Sequence, residues 1–222
     1  MSPIRTFSVS FRLSEVSKVS YFVAREKELT DIHATLNVDN GQRTVVLHGM
    51  GGIGKTQVTI AYAKQHKNDY SAIFWLNCKD EDSLKQSFLR AAQRILWEHP
   101  SAMGLAAVKE GKSLEEVVDA VKQWFDQTGN TRWLLIYDNY DNPKLPGIED
   151  PSTIDIKQYF PDADHGSIII TTRLSQVGLG RRIEVRKLEN IQDGLHILAH
   201  TSGRSNVMEG PLQYACAIQE SD

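Results

Sequence analysis

The stretch HGMGGIGKTQVTIAYA, residues 48–63, decides the fold of this 222-residue chain. It follows directly on the apolar run TVVL and matches the pattern G-x-x-x-x-G-K-[ST] at four positions, Gly49, Gly54, Lys55 and Thr56. A strand, a glycine-rich loop and a helix that begins near Lys55 place successive backbone N–H groups around one concavity at a helix N-terminus. That geometry suits phosphate, so the sequence predicts a phosphate-binding loop, or P-loop.

Each residue type in this loop has a physical role. Glycines let the backbone approach phosphate oxygens without side-chain clashes, Lys55 can reach the β- and γ-phosphates, and the Thr56 hydroxyl can complete a Mg²⁺ shell. A glycine-rich turn without a ligand is the alternative, but the four fixed positions arise by chance in a chain of this length only about once in a hundred. The predicted nucleotide contacts of the loop are Gly49, Met50, Gly51, Gly52, Ile53, Gly54, Lys55, Thr56 and Gln57.

Composition and charge place the chain among ordinary soluble proteins. Hydrophobic residues make up 41% and charged residues 24%, and the formal net charge is -3. This balance gives no global attraction to nucleic acid or to anionic lipid, so we expect neither partner. Cys78 and Cys216 have neither metal-ligand nor disulfide spacing, which predicts buried free thiols. With no signal peptide and no membrane-length apolar run in the sequence, we expect a cytoplasmic protein.

Apolar runs alternate with helical patterns along the chain. Because strands separated by helices indicate a parallel sheet that is covered on both faces, the predicted fold class is α/β, a P-loop NTPase with a five-stranded, mostly parallel sheet. After the third predicted strand, residues 141–166 are predicted to form a long irregular connection with one short helix. The predicted strands are 44–49, 71–77, 132–138, 166–172 and 181–186, and the predicted helices are 54–66, 81–99 and 113–129, the last opened by a capping box of Ser113 and Glu116.

Two strand ends supply candidate groups for chemistry on a bound phosphate. Asp138 ends an apolar run at the carboxyl edge of the sheet, where it is predicted to bind magnesium together with Thr56. Asp141 and Asn139 are both candidates to orient the attacking water, and we favour Asp141 because an amide cannot take a proton. Arg173 follows the strand SIIITT and is predicted to bind the γ-phosphate. The predicted catalytic residues are Lys55, Asp141 and Arg173, and the predicted metal ligands are Thr56 and Asp138.

Four segments, in this order, resemble the NB-ARC ATPase domain of STAND signalling proteins, with greatest similarity to fungal NOD-like receptors. They are YFVAREKELTDIHATL (21–36), VVLHGMGGIGKTQVTIAYA (45–63), WLLIYDNYDNP (133–143) and SIIITTR (167–173). The resemblance implies that Phe22, Val23 and Arg25 contact adenine, although Ala24 replaces the glycine usual in that motif. It also implies a magnesium role for Asp138 and a sensor role for Arg173.

The sequence departs from that family in two places. Asn139 follows the magnesium aspartate, where plant and animal members often carry a second acid, and an acid returns only at Asp141, so we expect slow hydrolysis. After Arg173 the chain is too short for the family's complete helical subdomain. Gly210, Pro211 and Leu212 follow too closely for its adenine-contacting Gly-x-Pro motif, and a role for Pro211 stays open. The predicted organisation is an N-terminal arm (1–20), a nucleotide-binding domain (21–186) and a truncated helical segment (187–222).

Other P-loop classes fit less well. Partition-type ATPases have a lysine where this chain has Met50, and the guanine-reading motif N-K-x-D and the transporter signature L-S-G-G-Q are both missing from the sequence. An arginine-rich kinase lid is not apparent, and small-molecule kinases stay an alternative. The predicted function is Mg²⁺-dependent binding of ATP and slow hydrolysis to ADP in a switch module of an NLR-like signalling protein, with a homotypic or full-length NLR-like partner. The alternative is a non-hydrolysing nucleotide-binding adaptor or decoy that regulates full-length relatives.

Overall fold

A single parallel sheet of five strands organises the protein. The computed structural model describes residues 7–11, 22, 25–38, 43–105, 108, 111, 113–144, 147, 150, 152–188 and 190–202. In the described chain the strands are β1 (Arg43–His48), β2 (Ala72–Asn77), β3 (Trp133–Asp138), β4 (Ser167–Thr172) and β5 (Arg181–Glu184). Their order in the sheet is β2-β3-β4-β1-β5, and every neighbouring pair is parallel. All five predicted strands are confirmed to within two residues, and the sheet is wholly rather than mostly parallel.

Helices connect the strands. They are α1 (Glu26–Leu36), α2 (Lys55–Gln65), α3 (Glu81–Glu98), α4 (Leu114–Phe125) and α5 (Ile191–Ser202), with short 3-10 helices at Met103–Leu105 and Ile156–Tyr159. The three predicted helices are confirmed as α2, α3 and α4, although α4 ends four residues earlier than its pattern suggested. The capping box of α4 is present, because Ser113 and Glu116 each accept a bond from the other's backbone N–H. Helix α1 was not predicted, and the short helix in the long connection is the 3-10 turn at Ile156–Tyr159.

The strands are buried on both faces, as strands of a parallel sheet usually are. Along β1, Val45 and Leu47 belong to a hydrophobic cluster with α1 and α2, whereas Val46 points to the opposite cluster with α3 and α4. The same alternation of faces recurs in β3, where Leu134 and Leu135 belong to different clusters. This arrangement confirms the predicted cover of helices on both faces.

Residues 7–11 of the predicted N-terminal arm lie at the amino end of the sheet. The Val9 backbone N–H donates to the Ser71 carbonyl at 2.8 Å, and the Phe7 ring packs edge-on against Trp124. Cys78 is buried and unpaired, as predicted, whereas Cys216 and Pro211 lie outside the described residues. No helix in the described part of the chain is long and apolar enough to cross a membrane.

Candidate functional site

The loop between β1 and α2 has a backbone shape that depends on glycine. Gly49, Gly52 and Gly54 have φ values of 148°, 74° and 102°, in the region that side chains other than glycine rarely adopt. At Gly49 a Cβ atom would lie 2.5 Å from the Val185 carbonyl oxygen. The loop therefore passes close under the chain that leaves β5, which only glycine allows.

Helix α2 begins at the end of this loop without a side-chain cap. Gly54 is the N-cap residue and offers no side-chain acceptor, so the first backbone N–H groups of α2 stay available to an anion. The Lys55 ammonium donates to the carbonyls of Gly49 and Met50 at 2.8 and 3.0 Å. Burial lowers the pKa of Lys55; nearby Asp141 raises it and Arg173 lowers it further. Among the described residues the acceptors of this ammonium are neutral carbonyls, which phosphate oxygens can replace because a charge-assisted bond is stronger.

Asp138 lies at the end of β3 and bonds directly to the first turn of α2. The Thr56 hydroxyl donates to Asp138 Oδ1 at 3.1 Å, and the Thr171 hydroxyl donates to the same oxygen at 2.5 Å. Burial raises the pKa of Asp138, and the bonds from Thr171 and Thr56 oppose that rise.

These donors fit Mg²⁺. Adjacent ligands of an octahedral ion with bonds of about 2.0–2.1 Å lie about 3 Å apart, close to the separation of the Thr56 and Asp138 oxygens. Carboxylate and hydroxyl oxygens are also the hard donors that Mg²⁺ prefers. The residues present thus match the predicted metal ligands in both chemistry and spacing.

Asp141 and Arg173 form an ion pair beside the loop. Asp141 Oδ1 accepts from the Arg173 backbone N–H at 2.7 Å, and Oδ2 accepts from Arg173 Nε at 2.5 Å. The Thr172 hydroxyl is 3.5 Å from Oδ1. The carboxylate is mostly buried, whereas the arginine side chain is 64% exposed. Two of the three predicted catalytic residues, Asp141 and Arg173, therefore contact each other, an arrangement that was not predicted.

A cavity of about 420 Å³ joins these groups at the carboxyl edge of the sheet. Asn139, the other candidate for orienting water, has a left-handed backbone with φ 66° and donates from its backbone to the Thr171 hydroxyl at 3.0 Å. A Cβ at Gly51 would lie 3.6 Å from the Arg173 side chain, so the arginine lies next to the loop, and both line this cavity. Its lining is Gly51, Gly52, Gly54, Lys55, Thr56, Gln57, Asn139, Asp141 and Arg173.

The sequence profile of the NB-ARC domain matches residues 25–192, which is most of the chain. The chain belongs to the NB-ARC domain family. This match confirms the resemblance that the four motifs indicated and places the protein in a family of P-loop ATPases. No curated protein sequence matches it significantly.

Two solved structures are similar to this NB-ARC domain to different extents. Cdc6p from Pyrobaculum aerophilum superposes with a TM-score of 0.51 at 13% identity, covering 89% of this chain and 52% of that one. The ORC2 protein of Aeropyrum pernix, in ADPNP-ADP complexes, gives a TM-score of 0.42 at 10% identity, covering 81% and 50%. This chain therefore spans about half the length of the solved structures it matches. At such identity the similarity to Cdc6p concerns the fold alone.

The first motif of the NB-ARC domain lies next to the P-loop. Arg25 is buried at the start of α1, where its Nη2 donates to the Ile53 carbonyl at 3.2 Å and its Nη1 pairs with Glu28 at 2.8 Å. Phe22 is 39% exposed, and Val23 lies outside the described residues. Arg25 thus supports the loop backbone, and the adenine contacts of Phe22, Val23 and Arg25 stay predictions.

Two threonines at the end of β4 were not predicted to take part. Thr171 and Thr172 are buried, and their hydroxyls contact the side chains of Asp138 and Asp141. The signal for them was the pair of polar residues that closes the otherwise apolar strand SIIITT. A hydroxyl at the carboxyl end of a buried strand is well placed to orient an acid on the neighbouring strand.

Proposed function

We propose that this NB-ARC domain binds ATP with Mg²⁺ and hydrolyses it slowly to ADP. The observation that carries the proposal is the direct bond between Thr56 of the P-loop helix and Asp138 at the end of β3. The two oxygens lie where neighbouring Mg²⁺ ligands would lie, beside a loop whose backbone N–H groups and lysine suit phosphates. When bound, the metal would neutralise phosphate charge and hold the β- and γ-phosphates in place.

The remaining groups take roles according to their positions around the cavity. Lys55 binds the β- and γ-phosphates, and the Arg173 guanidinium, which lines the same cavity, binds the γ-phosphate. Asp141 orients the attacking water, since a carboxylate has about four acceptor positions and the bonds to Arg173 and Thr172 leave one of them. Phe22, Val23 and Arg25 supply the adenine site beside the loop.

We propose that the hydrolysis serves a signalling switch. Loss of the γ-phosphate would remove the anion that Arg173 binds, and neighbouring domains would then pack differently in the two nucleotide states. The resemblance to fungal NOD-like receptors supports a cytoplasmic receptor whose partners are copies of itself or full-length relatives.

A second candidate function is a non-hydrolysing nucleotide-binding adaptor or decoy. The observation that favours it is the engagement of both Asp141 oxygens by Arg173, together with an amide rather than an acid at position 139. A carboxylate that is committed to an arginine is a weaker partner for water. Such a protein would bind nucleotide tightly and regulate relatives without turnover.

Two measurements on the purified chain test these proposals. Chromatography of the nucleotide that copurifies identifies the base and the number of phosphates, and a steady-state phosphate-release assay measures turnover with Lys55→Ala as the inactive control. We expect adenine nucleotide and slow release that depends on Mg²⁺. Tight binding without release would favour the adaptor, and the absence of any nucleotide affinity would refute both functions.

A further inference from the structure

We propose that Asp141 is the positioning residue of Arg173, and that it thereby sets how strongly the domain distinguishes triphosphate from diphosphate. The inference rests on the proposed function, because it takes Arg173 as the group that meets the γ-phosphate. It adds a role for Asp141 that acts through the arginine and is separate from any action on water.

The geometry of the pair carries the inference. Asp141 accepts from both the backbone N–H and the side-chain Nε of Arg173, at 2.7 and 2.5 Å, so one carboxylate fixes the arginine at two points along its length. Two fixed points define the direction of a side chain that would otherwise lose much rotamer freedom on binding a ligand. The carboxylate itself is rigidly placed, because it is mostly buried and the Tyr140 backbone N–H bonds to the Thr171 carbonyl at 2.9 Å.

The pairing leaves the useful end of the arginine available. Within the described residues, the Arg173 side chain donates from Nε alone, so both terminal nitrogens stay available. The Arg173 side chain is 64% exposed and lines the same cavity as Lys55 and Thr56. A guanidinium held through Nε can still present its two terminal nitrogens to phosphate oxygens, because its donors form a planar fork.

Preorganisation of the Arg173 side chain changes the affinity only of a nucleotide that contacts this arginine. A diphosphate does not extend to Arg173 in the proposed pose, so its affinity should not depend on the pairing. A triphosphate gains the arginine contact without the cost of ordering the side chain, so its affinity should depend on Asp141. The pairing therefore determines specificity between the two nucleotides.

The test is a double-mutant cycle on the full chain with Asp141→Asn and Arg173→Ala. Dissociation constants are measured for ADP and for a non-hydrolysable ATP analogue, both with Mg²⁺. The control is Asp162→Asn, which changes an exposed acid in the same connection between β3 and β4. We expect Asp141→Asn to weaken the triphosphate about tenfold and ADP less than about twofold. We expect no further triphosphate loss when Asp141→Asn is added to Arg173→Ala, because the residues act as a unit.

Several outcomes would overturn the inference. Additive losses in the double mutant, or equal losses for both nucleotides, would show that Asp141 acts independently of Arg173. A variant that keeps triphosphate affinity and loses only kcat would assign Asp141 to water alone. If Asp141→Asn does not fold, Asp141→Glu replaces it in the same cycle. The NMR signal of the Arg173 Nε–H then reports whether the bond to residue 141 is still made. A wild-type chain that binds neither nucleotide refutes the proposed function instead.

Discussion

The P-loop and the acid–arginine pair are two parts of one cavity, but they hold their cations differently. In the P-loop, Lys55 donates to two neutral carbonyls that lie five and six residues before it. At the ends of β3 and β4, Arg173 is held by a full negative charge from a residue 32 positions away. The lysine is therefore suited to bind any phosphate that enters, whereas the arginine is held in one direction and suited to recognise a particular phosphate.

The largest effect that this comparison predicts is the loss of Lys55. Lys55→Ala should weaken ATP and ADP alike by about 100-fold or more, because both nucleotides present a β-phosphate and the charge-assisted bonds are lost. Calorimetric titration of each nucleotide checks the prediction. Lys64→Ala, an exposed lysine on the same helix, is the control. A loss confined to ATP would mean that the lysine, like the arginine, recognises only the γ-phosphate.

The next largest effect concerns the bond from the P-loop helix to the end of β3. Thr56→Val should remove one Mg²⁺ ligand and lower metal-dependent nucleotide affinity by about 10–100-fold, whereas Thr56→Ser should keep it. The measurement is nucleotide affinity with Mg²⁺ and with a chelator in its place. If Thr56→Val retains the full Mg²⁺ dependence, the bond from Thr56 to Asp138 is structural only.

A smaller and more selective effect is expected at the arginine. Arg173→Ala should weaken triphosphate about tenfold and leave diphosphate within about twofold, because only the triphosphate reaches the end of β4. Competition of ADP against a fluorescent ATP analogue measures both affinities in one experiment. Arg181→Ala, an exposed arginine on β5, should change neither. Equal losses for the two nucleotides would give Arg173 a structural role.

The two regions also differ in how far the sequence predicted them. The loop was predicted residue by residue because its positions are consecutive in the sequence. The spacing of its glycines and its lysine directly indicates the backbone conformation of the loop. Thr56 and Asp138 were predicted to bind one metal ion, because the P-loop and the end of a buried strand lie at the same edge of a parallel sheet. The direct bond between their side chains is an addition from the structure.

The acid–arginine pair was not predicted because it depends on which strands are neighbours. The sequence gives strand ends but no strand order. The parallel pairing of β3 with β4, which ends at Tyr137 and Ile170, brings Asp141 beside Arg173. Helix α1 was missed for a related reason, since only Ile32 and Leu36 are buried along it and its remaining polar residues weaken the helical pattern. Contacts between distant segments are set by packing, which short motifs do not record.

Helix α1, behind the P-loop, provides a further comparison, because Arg25 at its start donates to the Ile53 carbonyl of the loop. The rings of His33 on α1 and His66 after α2 stack with centroids 4.0 Å apart. Burial lowers the pKa of His33, the nearby His66 lowers it further, and Asp69 opposes the shift. The folded protein therefore favours the neutral form of His33 more than the unfolded chain does.

The smallest effect that we predict is a loss of stability in mild acid. Because the folded pKa of His33 is below the unfolded value, the unfolded chain binds the proton more tightly, so stability is full above the unfolded pKa of about 6.5 and falls as the pH drops through it. Between about pH 7.5 and about pH 5.5, wild type should lose more Tm than His33→Gln, by less than about 3 °C. Thermal unfolding of both proteins checks this, with His165→Gln, in the connection before β4, as the control. Equal losses of Tm in wild type and His33→Gln would show that the stacked histidines do not couple protonation to folding. If His165→Gln reduces the loss of Tm as much as His33→Gln does, the acid effect is general rather than local to the helices that support the P-loop.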